Sequence, residues 1–500
     1  MESYFTYSGD EQSPVNHDIH FRPGVGADGS ETFTPRTLIY DLKGGFGSLK
    51  KLNALYDLTE EQGAPKGLWD GKVTTQKQTP IQQHEYQRNL DEGLEPPTLT
   101  AGTVRYWSDF NRVFYHPRSI VQLNEYELNS SIMPFERWDS GEDLFKNLDK
   151  EHDLFDRDLR PFAEECDQLQ AIQMFTTADD AWGGFAARYI DRIRDEFGKT
   201  SIWVWAMEGG EKVQREKKLL KTANTARSVL EVSTQASLYI PIADPPTLLP
   251  SYVQLNRESE WYSSALLATA VESVAISSRL KGATAAALGS IEGALNINGS
   301  QKITQLQFEV ADPSTLEVSA KETKPKEHDP RMEREGQDMD YDDEDGAGLT
   351  DAPGNNLDVD LFSVAGERQR DRGKKVHVFG RADTFRGSWD IGDEHPEHYK
   401  ARRRLMGLLN VEKYRTPLLF PMLDSFPKLY TVRAHSSEPV AVHASLSTTS
   451  SISEHILSLS SIAARSLELD EREALTNGLG EICEAYQEGW DSDDDEDEDM

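Results

Sequence analysis

Residues 162–207, FAEECDQLQAIQMFTTADDAWGGFAARYIDRIRDEFGKTSIWVWAM, decide the fold class. Leu169 to Phe175 reads as a buried strand whose far end opens into Thr176-Thr177-Ala178-Asp179-Asp180. In the stretch that follows, Trp182, Phe185, Ala186, Tyr189, Ile190, Ile193 and Phe197 recur three or four apart. That period makes one apolar stripe on a helix. Gly198 ends the helix, and Ser201 to Met207 is a second buried strand. A strand, a helix and a strand in so short a span form a parallel βαβ unit, so the domain is α/β. Ligands of such sheets bind at the carboxyl ends of the strands, which here means the turn around Asp179 and Asp180.

Outward from this unit, Thr37 to Leu42 (TLIYDL) is a strand between Pro35 and a glycine-rich turn, and 57–98 reads as a polar loop or insertion. Helices and strands alternate from about 99 to 285, with Trp261 to Leu280 a packed helix interrupted by Glu272. Residues 319–373 read as a disordered acidic linker, and ordered patterning resumes near Lys374 and runs to about Gly489. The Ser/Thr-rich segment Ser445 to Ser453 reads as a loop. The resulting division is 1–97, 98–285, a third α+β region made of 286–318 and 374–489, the linker, and an acidic tail at 490–500.

Five hundred residues exceed one compact core. The formal charge of −34 is concentrated in Asp338–Asp345 and Asp491–Asp499, a field that repels nucleic acid and anionic lipid. Direct nucleic-acid binding is therefore excluded from the expected functions. No run of apolar residues is long enough to span a bilayer. Cys166 and Cys483 match no metal spacing and fit a reducing compartment. The start, Met1-Glu2-Ser3-Tyr4, carries no basic apolar signal and no amphipathic presequence.

Several segments carry a family resemblance. Phe162 to Gln173 is similar to the tubulin segment that leads into the phosphate loop, and Gly183 to Phe197 is similar to the helix after it. Pro35 to Leu42 resembles the tubulin strand ending in an acidic-loop aspartate, and Asn224-Thr-Ala-Arg-Ser-Val229 resembles a stretch whose asparagine contacts the nucleotide. Tyr106-Trp-Ser-Asp109, His116-Pro-Arg-Ser119, Phe379-Gly-Arg-Ala-Asp383 and Asp424-Ser-Phe-Pro427 are unlike tubulin but resemble the Misato family of tubulin-like proteins, in its fungal branch. That resemblance implies a tubulin/FtsZ-like α/β domain, a C-terminal α+β part, and a role in partitioning mitochondria and mitochondrial DNA. It implies protein partners at the mitochondrial surface or cytoskeleton, with the chain peripheral on the cytosolic face of mitochondria and in the cytoplasm. Oligomeric state stays open. The family's first strand and Gly-Gln phosphate loop have no counterpart after Met1, so the expectation is either a misassigned start or a sheet lacking that strand.

The resemblance makes GTP the one ligand to weigh. Tubulin's phosphate loop is made of glycines with Thr and Ser. Here 177–184 keeps only Gly183 and Gly184 and adds Asp179, Asp180 and Trp182. A carboxylate within roughly 5 Å of a triphosphate costs on the order of 1 kcal/mol or more, even at an effective dielectric of 20. Asp179 or Asp180 reads better as the helix N-cap, and Asn224 as a cap before a helix, than as nucleotide ligands. Gly44 to Lys51 lacks P-loop spacing and reads as a turn, and His395 and His398 flank a proline without metal spacing. Lys400 to Arg404 reads as an exposed helix face over Leu405, Leu408 and Leu409. Glu258 and Glu260 sit in no catalytic motif. The sequence therefore points to a protein with no catalytic residues, no metal and no bound cofactor; the rivals are a GTP-binding tubulin relative and a cytoskeletal assembly factor.

Overall fold

The computed structural model describes residues 13–26, 29, 31–49, 81–209, 213–282, 285–316, 357–362, 376–389, 410–433, 438–465 and 469–487. A hairpin of β1 (Phe21–Val25) and β2 (Glu31–Pro35) opens the chain. β3 (Ile39–Lys43) follows, then α1 (Glu85–Asp91) and β4 (Ile120–Glu127), which lies parallel to β3. The turn at 44–48 is as expected, with Gly44 and Gly47 at φ of 94° and 55°. In the expected 57–98 loop, α1 is a real helix: His84 caps it through Tyr86 N, and Tyr86 is buried against Leu99 and Trp261. A single buried aromatic leaves no periodic signal in a polar stretch.

Next come α2 (Trp138–His152), a π-type turn (Phe155–Leu159), α3 (Arg160–Glu164) and β5 (Ala171–Thr177). After them are α4 (Ala181–Glu196), β6 (Ser201–Gly209), α5 (Arg215–Gln235) and β7 (Leu238–Asp244). β5, β6 and β7 form a parallel sheet in that order. The βαβ unit stands as predicted, with the first strand shifted two residues toward Thr177. One core on the α4 face joins Phe185, Ile190 and Ile193 to Ile202 and Val204 of β6 and Val229 of α5.

The carboxyl-terminal half holds α6 (Glu260–Ala275), α7 (Leu288–Leu295) and a sheet ordered β11 (Asn410–Thr416), β10 (Val378–Arg386), β12 (Ala441–Thr449), β8 (Gln305–Ala311), β9 (Val359–Asp360). α8 (Ser451–Ala463) and α9 (Leu469–Glu484) close the chain and pack against α5. Trp203 and Trp205 of β6 join this second core with Leu306, Phe308 and Leu446. The helix expected in Trp261–Leu280 is α6, whose half-buried Glu272 pairs with the buried Arg279.

Two expectations are corrected here. Ser445–Ser453 is no loop: it is the end of the wholly buried β12 and the start of α8. Its hydroxyls are satisfied locally, as when Thr448 Oγ1 donates to Leu295 O at 2.9 Å, so Ser and Thr tolerate burial between two strands. Within the expected linker, residues 357–362 are structured, because Leu357, Val359, Leu361 and Phe362 are all buried and β9 edges the sheet against β8. Their near-alternation in LDVDLF is a strand pattern that the surrounding acidity masks. The rest of 319–373 apart from 357–362, the whole tail, His395, His398 and the basic segment 400–409, expected as a helix face, lie outside the described residues.

On the other face of β10–β12–β8 sits an ion-paired row. His443 Nδ1 lies 3.0 Å from Glu309 Oε1, and Nε2 lies 3.4 Å from Asp383 Oδ1, itself paired with Arg381. Burial alone pushes the imidazole down, but its hydrogen bonds to Asp383 and Glu309 outweigh that and raise its pKa above 6.5. A raised folded pKa stabilises fully below the unfolded value and is lost as pH rises through the folded one. Urea unfolding should therefore show the native chain gaining stability over His443→Gln on going from about pH 8 to about pH 6. Parallel curves would remove His443 from the pH response.

Candidate functional site

The predicted site forms at the carboxyl ends of β5 and β6, and its five candidate residues do come together. Of the two aspartates expected as the cap, Asp180 is the one that caps α4: Oδ1 accepts from Trp182 N at 2.8 Å and from Thr177 Oγ1. Burial raises the Asp180 carboxyl to about 6, against the lowering effect of the Thr177 hydroxyl. Asp179 is also buried. Its Oδ2 accepts from Gly209 N at 2.8 Å and from Lys221 Nζ at 3.0 Å.

Asn224 does not precede a helix. It lies in the middle of α5, where it caps another element: Oδ1 accepts from Trp138 N at 3.2 Å, the first amide of α2. Its Nδ2 donates to Glu136 O at 2.7 Å and to Asp179 O at 3.0 Å. One amide side chain thus ties α5 to the α2 entry and to the β5–α4 turn. Four residues on, Ser228 Oγ donates to Ala178 O at 2.8 Å and completes the tie.

The two glycines serve the same junction. A Cβ on Gly184 would stand 2.1 Å from Trp138 O, and one on Gly183 would stand 2.2 Å from Ser228 Oγ. Gly141 of α2 faces α4 in the same way, its Cβ position 1.6 Å from Ala181 O. Gly141 and Gly184 let α2 and α4 approach backbone to backbone, and Gly183 lets the Ser228 side chain of α5 come close to α4. A phosphate cradle needs the opposite: open amides at a helix start and room above them. Here the Trp182 amide is taken by Asp180, the Ala178 amide donates to Met207 O, and the Asp179 carboxylate is paired with Lys221.

Sequence reasoning found Asp179, Asp180, Gly183, Gly184 and Asn224 but missed Lys221, Ser228, Glu136 and Trp138. A signal for two of them exists. Lys221, Asn224 and Ser228 recur at three and four on one helical face, alongside buried Ala223, Ala226 and Val229. Polar groups at such a spacing mark a hydrogen-bonded seam. Behind it lies Glu208 of β6, which burial, with Asp179 nearby, raises to about 8. Glu258 and Glu260 stand at the entry of α6. Among the described residues no group of three or more His, Cys, Asp or Glu is placed to hold a metal ion, and no helix is long and apolar enough to cross a membrane.

Comparison with known proteins agrees with the architecture. A Misato segment II tubulin-like domain matches residues 1–92 and a tubulin domain matches residues 96–280. Protein dml1 of Aspergillus niger is 50% identical over 504 residues, covering all of this chain and 95% of that protein. Protein dml-1 of Neurospora crassa is 47% identical over 532 residues, covering 100% and 96%. Protein dml1 of Schizosaccharomyces pombe is 32% identical over 335 residues, or 63% of this chain and 69% of that one. With full-length likeness at this level and both tubulin-like segments matched, the chain belongs to the Misato family of tubulin-like proteins, alongside the fungal Dml1 proteins.

Proposed function

We propose that the chain is a non-catalytic tubulin-like protein that works by association with other proteins in the distribution and inheritance of mitochondria and their DNA. It would act in the cytoplasm and peripherally at the cytosolic face of mitochondria. The process and the place rest on the resemblance to the Misato family. The absence of nucleotide chemistry is supported by one observation: at the turn where a tubulin relative would cradle phosphate, the Asp179 carboxylate is paired with Lys221 and its carbonyl accepts from Asn224.

Two experiments test the two halves. Purified full-length protein should show no saturable binding of labelled GTP at micromolar concentration, with or without Mg²⁺. Micromolar binding that disappears in Asp180→Ala would overturn the non-binding reading and favour a GTP-binding relative. For the process, depletion should produce cells with unequal mitochondrial DNA, and tagged protein should co-sediment with mitochondria after mild lysis. Co-purification dominated by tubulin and chaperonin subunits, without mitochondrial enrichment, would favour an assembly factor instead.

A further inference from the structure

Between β4 and α2 runs a loop that turns apolar side chains outward. Leu128 is 38%, Ile132 90% and Met133 53% exposed, and Pro134 is exposed as well. Single apolar residues scattered over a surface are ordinary, but a run of them in one loop makes a patch. The loop is also held in shape. At its entry Leu128 N donates to Lys43 O at 3.0 Å and Ser130 N to Glu127 O at 3.2 Å, with Asn129 left-handed at φ 58°. Across its middle, Ser130 Oγ accepts from Met133 N at 3.2 Å. At its exit Phe135 turns inward between Tyr126 and Trp182, ring centroids 4.7 and 5.2 Å away, and Asn224 then holds Glu136 O and Trp138 N. A segment ordered in this way presents Ile132 and Met133 with little conformational freedom left to lose on binding.

Size and charge select the occupant. A stable interface takes roughly 20–30 residues a side, so two copies of the chain meeting through this short patch alone would not hold together. An anionic lipid surface fits poorly too. Glu125 and Glu127 are exposed on the approach to the loop, and the cations nearby in sequence or pairing are already countered. Arg137 pairs with Asp139 at 3.5 Å and Lys217 with Glu136 at 3.0 Å, while Lys43 stands opposite Glu127 across the β3–β4 pair. A concave apolar socket on another protein matches the tip, and basic side chains on its rim match Glu125 and Glu127.

We propose that loop 128–134 is a docking knob whose Ile132 and Met133 enter an apolar socket, basic at its rim, on a partner protein. This rests on the reading that the chain works by association with other proteins, and it names the surface that does so. A few side chains at the centre of a contact carry most of its affinity, and methionine adapts to the shape it meets. The Asn224 seam gains a second role, because it fixes the exit of the loop and so the direction in which the knob points.

The test uses full-length protein carrying a photo-crosslinking residue in place of the exposed Ser131, with a second protein carrying it at Leu457 of α8, which is 51% exposed, as control. After irradiation in cell extract, position 131 should give one discrete protein adduct that position 457 does not. Its crosslinked peptide, read by mass spectrometry, should be apolar with lysine or arginine near it. Ile132→Asp together with Met133→Asp should cut the adduct yield about tenfold or more. Urea unfolding of that variant should match the native chain, because both side chains are exposed. Glu125→Lys together with Glu127→Lys should cut the yield roughly threefold. The proposal falls if position 131 gives no discrete adduct, if the adduct is this chain itself, if the crosslinked peptide is acidic, or if the double aspartate variant crosslinks as well as native. It falls equally if the chain floats with vesicles of phosphatidylcholine and phosphatidylserine and the double aspartate variant does not, for then the occupant is lipid. Failure to sediment with mitochondria would sink the mitochondrial reading alone, since the adduct judges the loop by itself.

Discussion

Asn224→Ala lowers the unfolding free energy of the chain by about 2–5 kcal/mol, because a buried donor or acceptor left unpaired costs ~1–3 kcal/mol and this change orphans two at once. The two are Trp138 N and Asp179 O, while the half-buried Glu136 O also loses its donor; Asn224 itself is 2% exposed. Water can reach Glu136 O in the variant, so that carbonyl adds little to the cost. Asn224→Asp is the sharper variant. It keeps the acceptor for Trp138 N but turns a carboxylate toward two carbonyl oxygens, so near neutral pH it should be less stable than Asn224→Ala. Burial and those carbonyls raise the folded-state pKa of the new acid, so its deficit shrinks as the solution is acidified and the carboxyl regains a proton to donate. Equilibrium urea unfolding across pH measures both effects. A loss below about 1 kcal/mol for the alanine variant, the ordinary surface range, would show that the seam is not holding the turn.

How much of this was legible beforehand depended on whether the signal was local. The βαβ unit was, since the stripe from Trp182 to Ile193 and the apolar runs on either side each declare themselves within a few turns. So was a cap at Asp179 or Asp180, a short-range side chain–backbone bond that Asp180 makes. Asn224 was found for the wrong reason. Its partners lie 86, 88 and 45 residues away, so its role as a clasp between elements has no local signature. β12 was missed because Ser and Thr in a row look like a loop, yet a strand paired on both sides satisfies its backbone and lets small hydroxyls find carbonyls nearby. β9 was missed because two residues between acidic stretches gain strand character only from pairing with β8.

The second large effect separates a packing glycine from a phosphate-binding one. In a phosphate loop, a small substitution blocks the ligand's approach and spares the fold. In this chain the glycines hold helices together, so Gly184→Val and Gly141→Val should cost about 3 kcal/mol or more, the upper part of the range for overfilled cores. These clashes leave no cheaper escape: the new Cβ would meet Trp138 O at 2.1 Å in one case and Ala181 O at 1.6 Å in the other, and both obstacles are backbone. To admit it, α2 and α4 must move apart, which also opens the Phe145–Phe185 edge contact at 5.3 Å. A control of opposite sign lies in α7, where a Cβ on Gly289 or Gly293 meets nothing within 4 Å. There, glycine to alanine should stabilise by about 0.5–1 kcal/mol, the helix-propensity difference. If Gly184→Val instead unfolds like the native chain, the close approach of α2 to α4 is not what fixes this glycine, and the case for a turn closed to phosphate loses its geometric footing. If it unfolds early while Gly289→Ala unfolds late, the glycines at 141 and 184 are positions of helix contact, whatever the family's ancestral loop once held.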